Sequence, residues 1–190
     1  MSGEVDEENR QVARIVDDVF GGNSRMSGYP DLDEQRRINV LSRPQRNDLI
    51  SFCTVGLSDF QPPVEVHPPL GVEILAVSER KEFARVLVAT GLYAIEHGWL
   101  LSPGTIVLDV VAEQMDSPLL PHLLLLEPFL WEDTDFSSRT LSSKTVAWVL
   151  GVPISQAEGQ YCHEHGFDAL DDLLMEAQPD YFDTQRPSTV

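Results

Sequence analysis

The residues that could do chemistry in this chain are few and scattered. Ser58 and Asp59 stand together in a G-L-S-D turn that ends an apolar run beginning at Leu49. A hydroxyl and a carboxylate at a strand end can orient a ligand, and binding residues concentrate in such loops. An Asp in a turn also serves simply by accepting backbone N–H groups, and Asp59 is expected to do that first. His163, Glu164 and His165 offer two imidazoles and a carboxylate. On a helix, positions i and i+2 point about 200° apart, so one metal ion cannot easily take both histidines. At a helix end they complement the negative pole instead. His97 beside Gly98 reads as a helix cap, and His122 is isolated. Cys162 and His163 make a poor thiol–imidazole pair, since adjacent helical side chains diverge. Glu132, Asp133 and Asp135 form an acidic loop between Trp131 and Phe136, without the spacing of a calcium loop. No G-x-G-x-x-G, Walker or G-x-S-x-G frame occurs. The expectation is a chain with no catalytic centre, no cofactor and no metal.

The elements that must position these residues follow from periodicity. Residues 4–20 carry Val5, Val12, Ile15, Val16 and Val19 near helical spacing, and Gly21-Gly22 stops the helix. Residues 21–37, rich in Gly, Ser and Asp, predict a loop. A short strand is expected at 38–41, a turn around Pro44, and the central strand at 49–55, where apolar and β-branched residues dominate. Residues 64–66 lie extended between proline pairs. After a strand at 72–77, Ser78 predicts the N-cap of a helix over 79–97 that ends at Gly98. That helix is apolar on most sides, so it must be buried against a sheet, with Leu87, Val88, Leu92 and Ile95 in the core. Strands are expected at 105–111, 123–126 and 144–152. Ser155 and Glu158 form a capping box that opens a helix ending at Gly166. A second helix from Asp168 carries Leu170, Leu173, Leu174 and Ala177 on one stripe. The order implies an α+β fold, a mixed, largely antiparallel sheet packed by helices. It is read as one domain over 1–190 with a polar tail at 179–190.

Thirteen Lys and Arg face 31 Asp and Glu, a net charge of −18. Such a chain repels nucleic acid and anionic membranes. The charge serves either solubility or the steering of a basic protein partner. The N-terminus M-S-G-E-V-D-E-E-N-R has no apolar signal region, and the leucines of 119–126 are interrupted by Pro121 and His122, far short of a bilayer span. Two cysteines outside any C-x-x-C pair fit a reducing cytoplasm.

Taken in order, several segments resemble the suppressor-of-fused family. Ile38-Asn39-Val40 resembles its short I-D-V strand, with Asn39 for the aspartate. Residues 54–59, T-V-G-L-S-D, resemble its T-x-G-M-S-D turn, with Leu57 for methionine. Residues 97–106, H-G-W-L-L-S-P-G-T-I, resemble the segment after its long helix. Pro153-Ile154 through Gly166-Phe167-Asp168-Ala169-Leu170 resembles its closing helices, and Arg186-Pro187-Ser188 the R-P-S that ends many members. The resemblance implies an α/β sandwich without a catalytic centre, in the stand-alone bacterial form. Many such bacterial proteins are proposed to be immunity proteins that neutralise polymorphic toxins by occlusion. A basic toxin would be met quickly by a −18 partner. The expected contact residues are Trp131, Glu132, Asp133, Asp135 and Phe136, aromatic anchors with acidic neighbours, together with Asp59. Two alternatives stay open: a peptide-capturing adaptor or regulatory module that adds a strand at a sheet edge, and a hydrolytic enzyme in which Asp59 and His97 meet in a cleft.

Overall fold

The computed structural model describes residues 7–30, 37–60, 67–116, 119–131 and 136–190. Helix α1 (Glu7–Phe20) is followed by strands β1 (Arg25–Pro30), β2 (Arg37–Pro44) and β3 (Ile50–Val55). A 3-10 turn (Leu57–Asp59) leads to β4 (Leu70–Ser78) and helix α2 (Phe83–His97). Then come β5 (Ile106–Val107), the short helix α3 (Val110–Gln114), β6 (His122–Leu126), β7 (Arg139–Thr140) and β8 (Thr145–Ile154). Helices α4 (Gln156–His165) and α5 (Phe167–Ala177) close the order.

The strands form one sheet in the order β1-β2-β3-β4-β8-β6-β5, with β7 also on β8. The β4–β8 pair is parallel and the other pairs are antiparallel. The fold is therefore the mixed, largely antiparallel α+β sheet that the order of elements implied. Strand alternation sends successive side chains to opposite faces. Phe52 and Ile74 join α2 on one side, while Cys53 and Leu75 join α1 and α5 on the other. With both faces covered, β3 and β4 read as continuous apolar runs.

Several elements differ from expectation for local reasons. The loop expected over 21–37 contains β1, which pairs with β2 from Arg25↔Ser42 to Pro30↔Arg37. Its sequence, R-M-S-G-Y-P, is that of a mostly exposed edge strand and carries no apolar alternation. Helix α2 begins at Phe83, not Glu79: Ser78 Oγ accepts the Arg80 N–H at 3.1 Å in a local turn and caps no helix. The strand expected over 105–111 stops at Val107, because Asp109 takes a left-handed φ of 57° and turns the chain into α3. Gly98 ends α2 at φ 65°, as expected. Leu87 and Val88 are buried, whereas Leu92 and Ile95 are half-buried and pack on the core's margin. The expected capping box is present, with Ser155 Oγ accepting the Glu158 N–H at 3.0 Å and Glu158 Oε2 accepting the Ser155 N–H at 2.7 Å. The expected helical turn at 4–6 and the expected extended stretch at 64–66 lie outside the described residues.

The polar segment after residue 179 packs back onto α4. Arg186 is buried and donates to both carboxylate oxygens of the fully buried Glu158, at 2.8 and 3.2 Å. Thr189 adds its N–H and hydroxyl to the same group.

Candidate functional site

The G-L-S-D turn is tied to the sheet by a residue that sequence reasoning passed over. Glu73, in the middle of β4, is 0% exposed. Its carboxylate accepts from Thr54 Oγ1 at 2.6 Å, from the N–H groups of Gly56, Leu57 and Ser58 at 2.9, 3.3 and 3.1 Å, and from Ser58 Oγ at 2.8 Å. Burial lifts this carboxyl above its ordinary range, while the bonds from Thr54, Ser58 and Gly56 pull the other way. The signal in the sequence was the acid itself, set in an otherwise apolar V-E-I-L-A-V strand, because a buried acid needs donors. Gly71 allows the close approach: a Cβ there would sit 2.1 Å from the Ser58 carbonyl oxygen.

Asp59 is anchored differently from expectation. The N–H groups of Gly56, Leu57 and Ser58 go to Glu73, and those of Asp59 and Phe60 to the Gly56 and Leu57 carbonyls, so Asp59 accepts side-chain donors instead. Asn9 Nδ2 lies 2.6 Å from Asp59 Oδ2, and the ammonium of Lys144 bonds Asp59 Oδ1. Lys144 is itself buried and also donates to Ser58 Oγ at 2.9 Å and Asn9 Oδ1 at 3.1 Å. Residues from α1, the turn and the start of β8 thus meet in one polar cluster. With its oxygens held by five donors, Glu73 fastens the turn and has no lone pair free to act as a base.

Asp59 faces outward onto a groove of about 350 Å³, shared with Leu57, Phe60, Ile95, Trp99 and Leu100. His97 is not on its wall; it is exposed and its ring stacks on Trp99 at 5.0 Å. His122 is buried, its Nδ1 accepting the Asp109 N–H and its Nε2 bonded to Gln156 Oε1, each at 2.9 Å. It joins α3, β6 and α4. Among the described residues no group of three His, Cys, Asp or Glu is placed to hold a metal ion.

A second groove, of about 960 Å³, adjoins the first through Val72, Leu100 and Leu101. Trp131 and Phe136 line it. Phe136 is 8% exposed, and its ring sits 5.2 Å from Trp131 and 5.6 Å from Trp148. Trp131 is half-buried and stacks on Phe20 at 5.6 Å. The two aromatics therefore belong largely to a ring chain that locks α1 to β8. Glu132, Asp133 and Asp135 lie outside the described residues. The floor of this groove is β8, which pairs with β7 up to Val146 and with β6 from Leu150 onward. Ala147, Trp148 and Val149 have no ladder partner on that edge among the described residues. The grooves also expose Trp99, Leu100 and Phe129, each more than 40% accessible. Sequence reasoning missed these three; the signal for Trp99 and Leu100 was the apolar W-L-L run after α2, and for Phe129 the F-L-W run after β6. Asp59, Trp131 and Phe136 thus fall on two adjoining grooves.

Comparison with known proteins agrees with this architecture. A family model for suppressor of fused protein (SUFU) matches residues 34–187. The chain is 35% identical over 192 residues to the immunity protein YqcF of Bacillus subtilis (strain 168), across 98% of this chain and 99% of that one. A solved SUFU homologue from Neisseria gonorrhoeae FA 1090 superposes with a TM-score of 0.72 at 16% identity, covering 96% of both chains. Drosophila Suppressor of Fused gives 0.67 at 14% identity, and this chain, 94% covered, spans 50% of it. At such identities the superpositions speak for the fold, and the match of the family model over most of the sequence makes this chain a member of the suppressor-of-fused family.

Proposed function

We propose that this chain is an immunity protein, a non-enzymatic domain that neutralises a bacterial toxin in the cytoplasm by stoichiometric contact. The observation that carries this reading is the 35% identity to the immunity protein YqcF along nearly the whole of both chains. Two features of the molecule support it. Its buried acid, Glu73, is consumed in fastening a turn, and its grooves are walled by exposed apolar side chains suited to contact. The net charge of −18 favours a basic toxin through faster encounter. Asp59 at one groove, and Trp131 and Phe136 at the other, are proposed contact residues, with Glu132, Asp133 and Asp135 of the intervening loop. Co-expression with the cognate toxin tests the reading. Rescue of growth and co-purification as a complex are expected; growth arrest that persists despite soluble protein contradicts it.

A second reading, capture of an extended peptide, is favoured by the edge of β8 at Ala147, Trp148 and Val149, which has no ladder partner among the described residues. N–H groups alternate between the two edges of a strand, and Thr145 N–H points to the β4 side, so an added strand there would protect the Trp148 amide from hydrogen exchange, and unchanged exchange in the complex would exclude it.

A further inference from the structure

The charges of this chain are segregated along the sheet. Arg25, Arg37 and Arg43 lie on β1 and β2 at one end of the strand order, and Arg80, Lys81 and Arg85 lie around the start of α2. Between Arg85 and Arg139 the sequence has neither lysine nor arginine. From Thr145 to Val190 its one arginine is Arg186, which is buried against Glu158. The end of the molecule built from β6, β5, α4 and α5 is therefore acid with almost no compensation.

A groove of about 660 Å³ opens at that end, between α5 and the segment after β6. Phe167, Asp171 and Met175 recur every four residues on α5, so they present one stripe to it. Glu127, Phe129 and Tyr181 line the other side. Phe129 is 42% exposed and Met175 is 60% exposed. The Phe129 ring meets Tyr181 edge-on at 5.2 Å, and Tyr181 donates its hydroxyl to the Leu174 carbonyl at 3.1 Å, so this wall is held in place. Partial burial, and then the charges of Asp172, Asp168 and Glu127, raise the Asp171 carboxyl above its ordinary range. Like charges crowd the rim, and a cation placed among them would relieve the repulsion.

We propose that this groove is a principal docking surface for the toxin, and that it takes a basic segment presenting an apolar side chain between lysines or arginines. The apolar group would enter between Phe129 and Met175, and the cations would meet Glu127 and Asp171. The inference rests on the immunity reading and adds the site and the chemistry of the partner. An anionic membrane or a second copy of this acidic chain would be repelled by the same rim.

The test uses a short fluorescein-labelled peptide of alternating lysine and leucine, read by anisotropy, alongside growth rescue from the cognate toxin. One variant pairs Phe129→Ser with Met175→Ser, which leaves the charge unchanged at two exposed positions. A second pairs Glu127→Gln with Asp171→Asn. Met26→Ser, on β1 at the far end of the sheet, is the control; circular dichroism checks that all three remain folded. Each groove pair is expected to weaken peptide binding at least about tenfold and to lose rescue, with the control unchanged. Peptide binding indifferent to the Phe129–Met175 pair would mean plain charge attraction and would overturn the groove. Rescue by wild type and by both groove pairs alike would overturn the docking surface while the immunity reading stands. Failure of wild type to rescue would remove that reading, and this inference with it.

Discussion

Lys144 and Ser58, separated by 86 residues in the chain, meet as a buried ammonium donating to a hydroxyl 2.9 Å away. Ser58 donates its own hydroxyl to Glu73, and Lys144 also bonds Asp59 and Asn9. This cluster fastens α1, the turn after β3, β4 and the start of β8 to one another. It gives the G-L-S-D turn its shape, and with it the wall of the groove at Asp59.

Removing Asp59 leaves Lys144 buried without its carboxylate. Asp59→Ala is expected to cost about 1–2 kcal/mol in chemical denaturation, the lower end of a buried charged bond because the Asp59 side chain is 40% exposed. Lys144→Met in the same background should cost less than the two single changes added together, since it removes the orphaned ammonium. Strict additivity would show that the two residues are not coupled.

Glu73 has no substitute among the side chains around it. Glu73→Gln turns an amide NH2 toward donors that have nothing to give to, and a loss of at least about 2 kcal/mol is expected. A variant of wild-type stability would mean that the turn does not depend on the five bonds.

Glu8 sets an acid limit on the N-terminal helix. Bonds from Ser142 and then Ser143 hold its carboxyl down at about 2, against an ordinary value of 4.5. A folded pKa below the unfolded one stabilises above the unfolded value and loses that stability as pH falls through the folded value. The gap in melting temperature between wild type and Glu8→Gln should be full above pH 4.5 and close as pH approaches about 2. A gap that is constant with pH would assign the effect to packing.

The C-terminal segment depends on one ion pair. Burial alone would raise the Glu158 carboxyl, but Arg186, Ser155 and Thr189 outweigh it and hold the group below its ordinary range. Arg186→Met leaves a buried carboxylate unpaired, for an expected loss of roughly 3–5 kcal/mol. The wild-type pair stabilises above the ordinary carboxylate range and weakens as pH falls through the lowered value, so the difference from Arg186→Met should shrink in acid. Equal stability at neutral pH would show that the segment merely rests on α4.

What could be read from the sequence was whatever local chemistry decides. The Ser155–Glu158 box, Gly98 at the end of α2 and the Leu170–Leu174 stripe each depend on residues a few positions apart, and each is where spacing placed it. Edge strand β1 was hidden because its register comes from β2 and not from an apolar pattern of its own. The polar cluster was hidden for a related reason: Asn9, Ser58, Glu73 and Lys144 are far apart in the chain, and nothing local pairs them. Of the expected contact residues, Asp59, Trp131 and Phe136 lie at adjoining grooves, but the aromatics are turned toward Phe20 and Trp148. A ring's direction is set by the helix and strand it fills between, which spacing along one loop does not encode.

Neutralisation by stoichiometric contact is tested by titrating the purified toxin's activity. With the toxin well above its dissociation constant, residual activity should fall in a straight line to zero at one equivalent of this protein and stay there without change over time. Progressive loss of activity under a small fraction of an equivalent would reveal turnover, and no loss at an excess would reveal no contact; either result would contradict stoichiometric neutralisation.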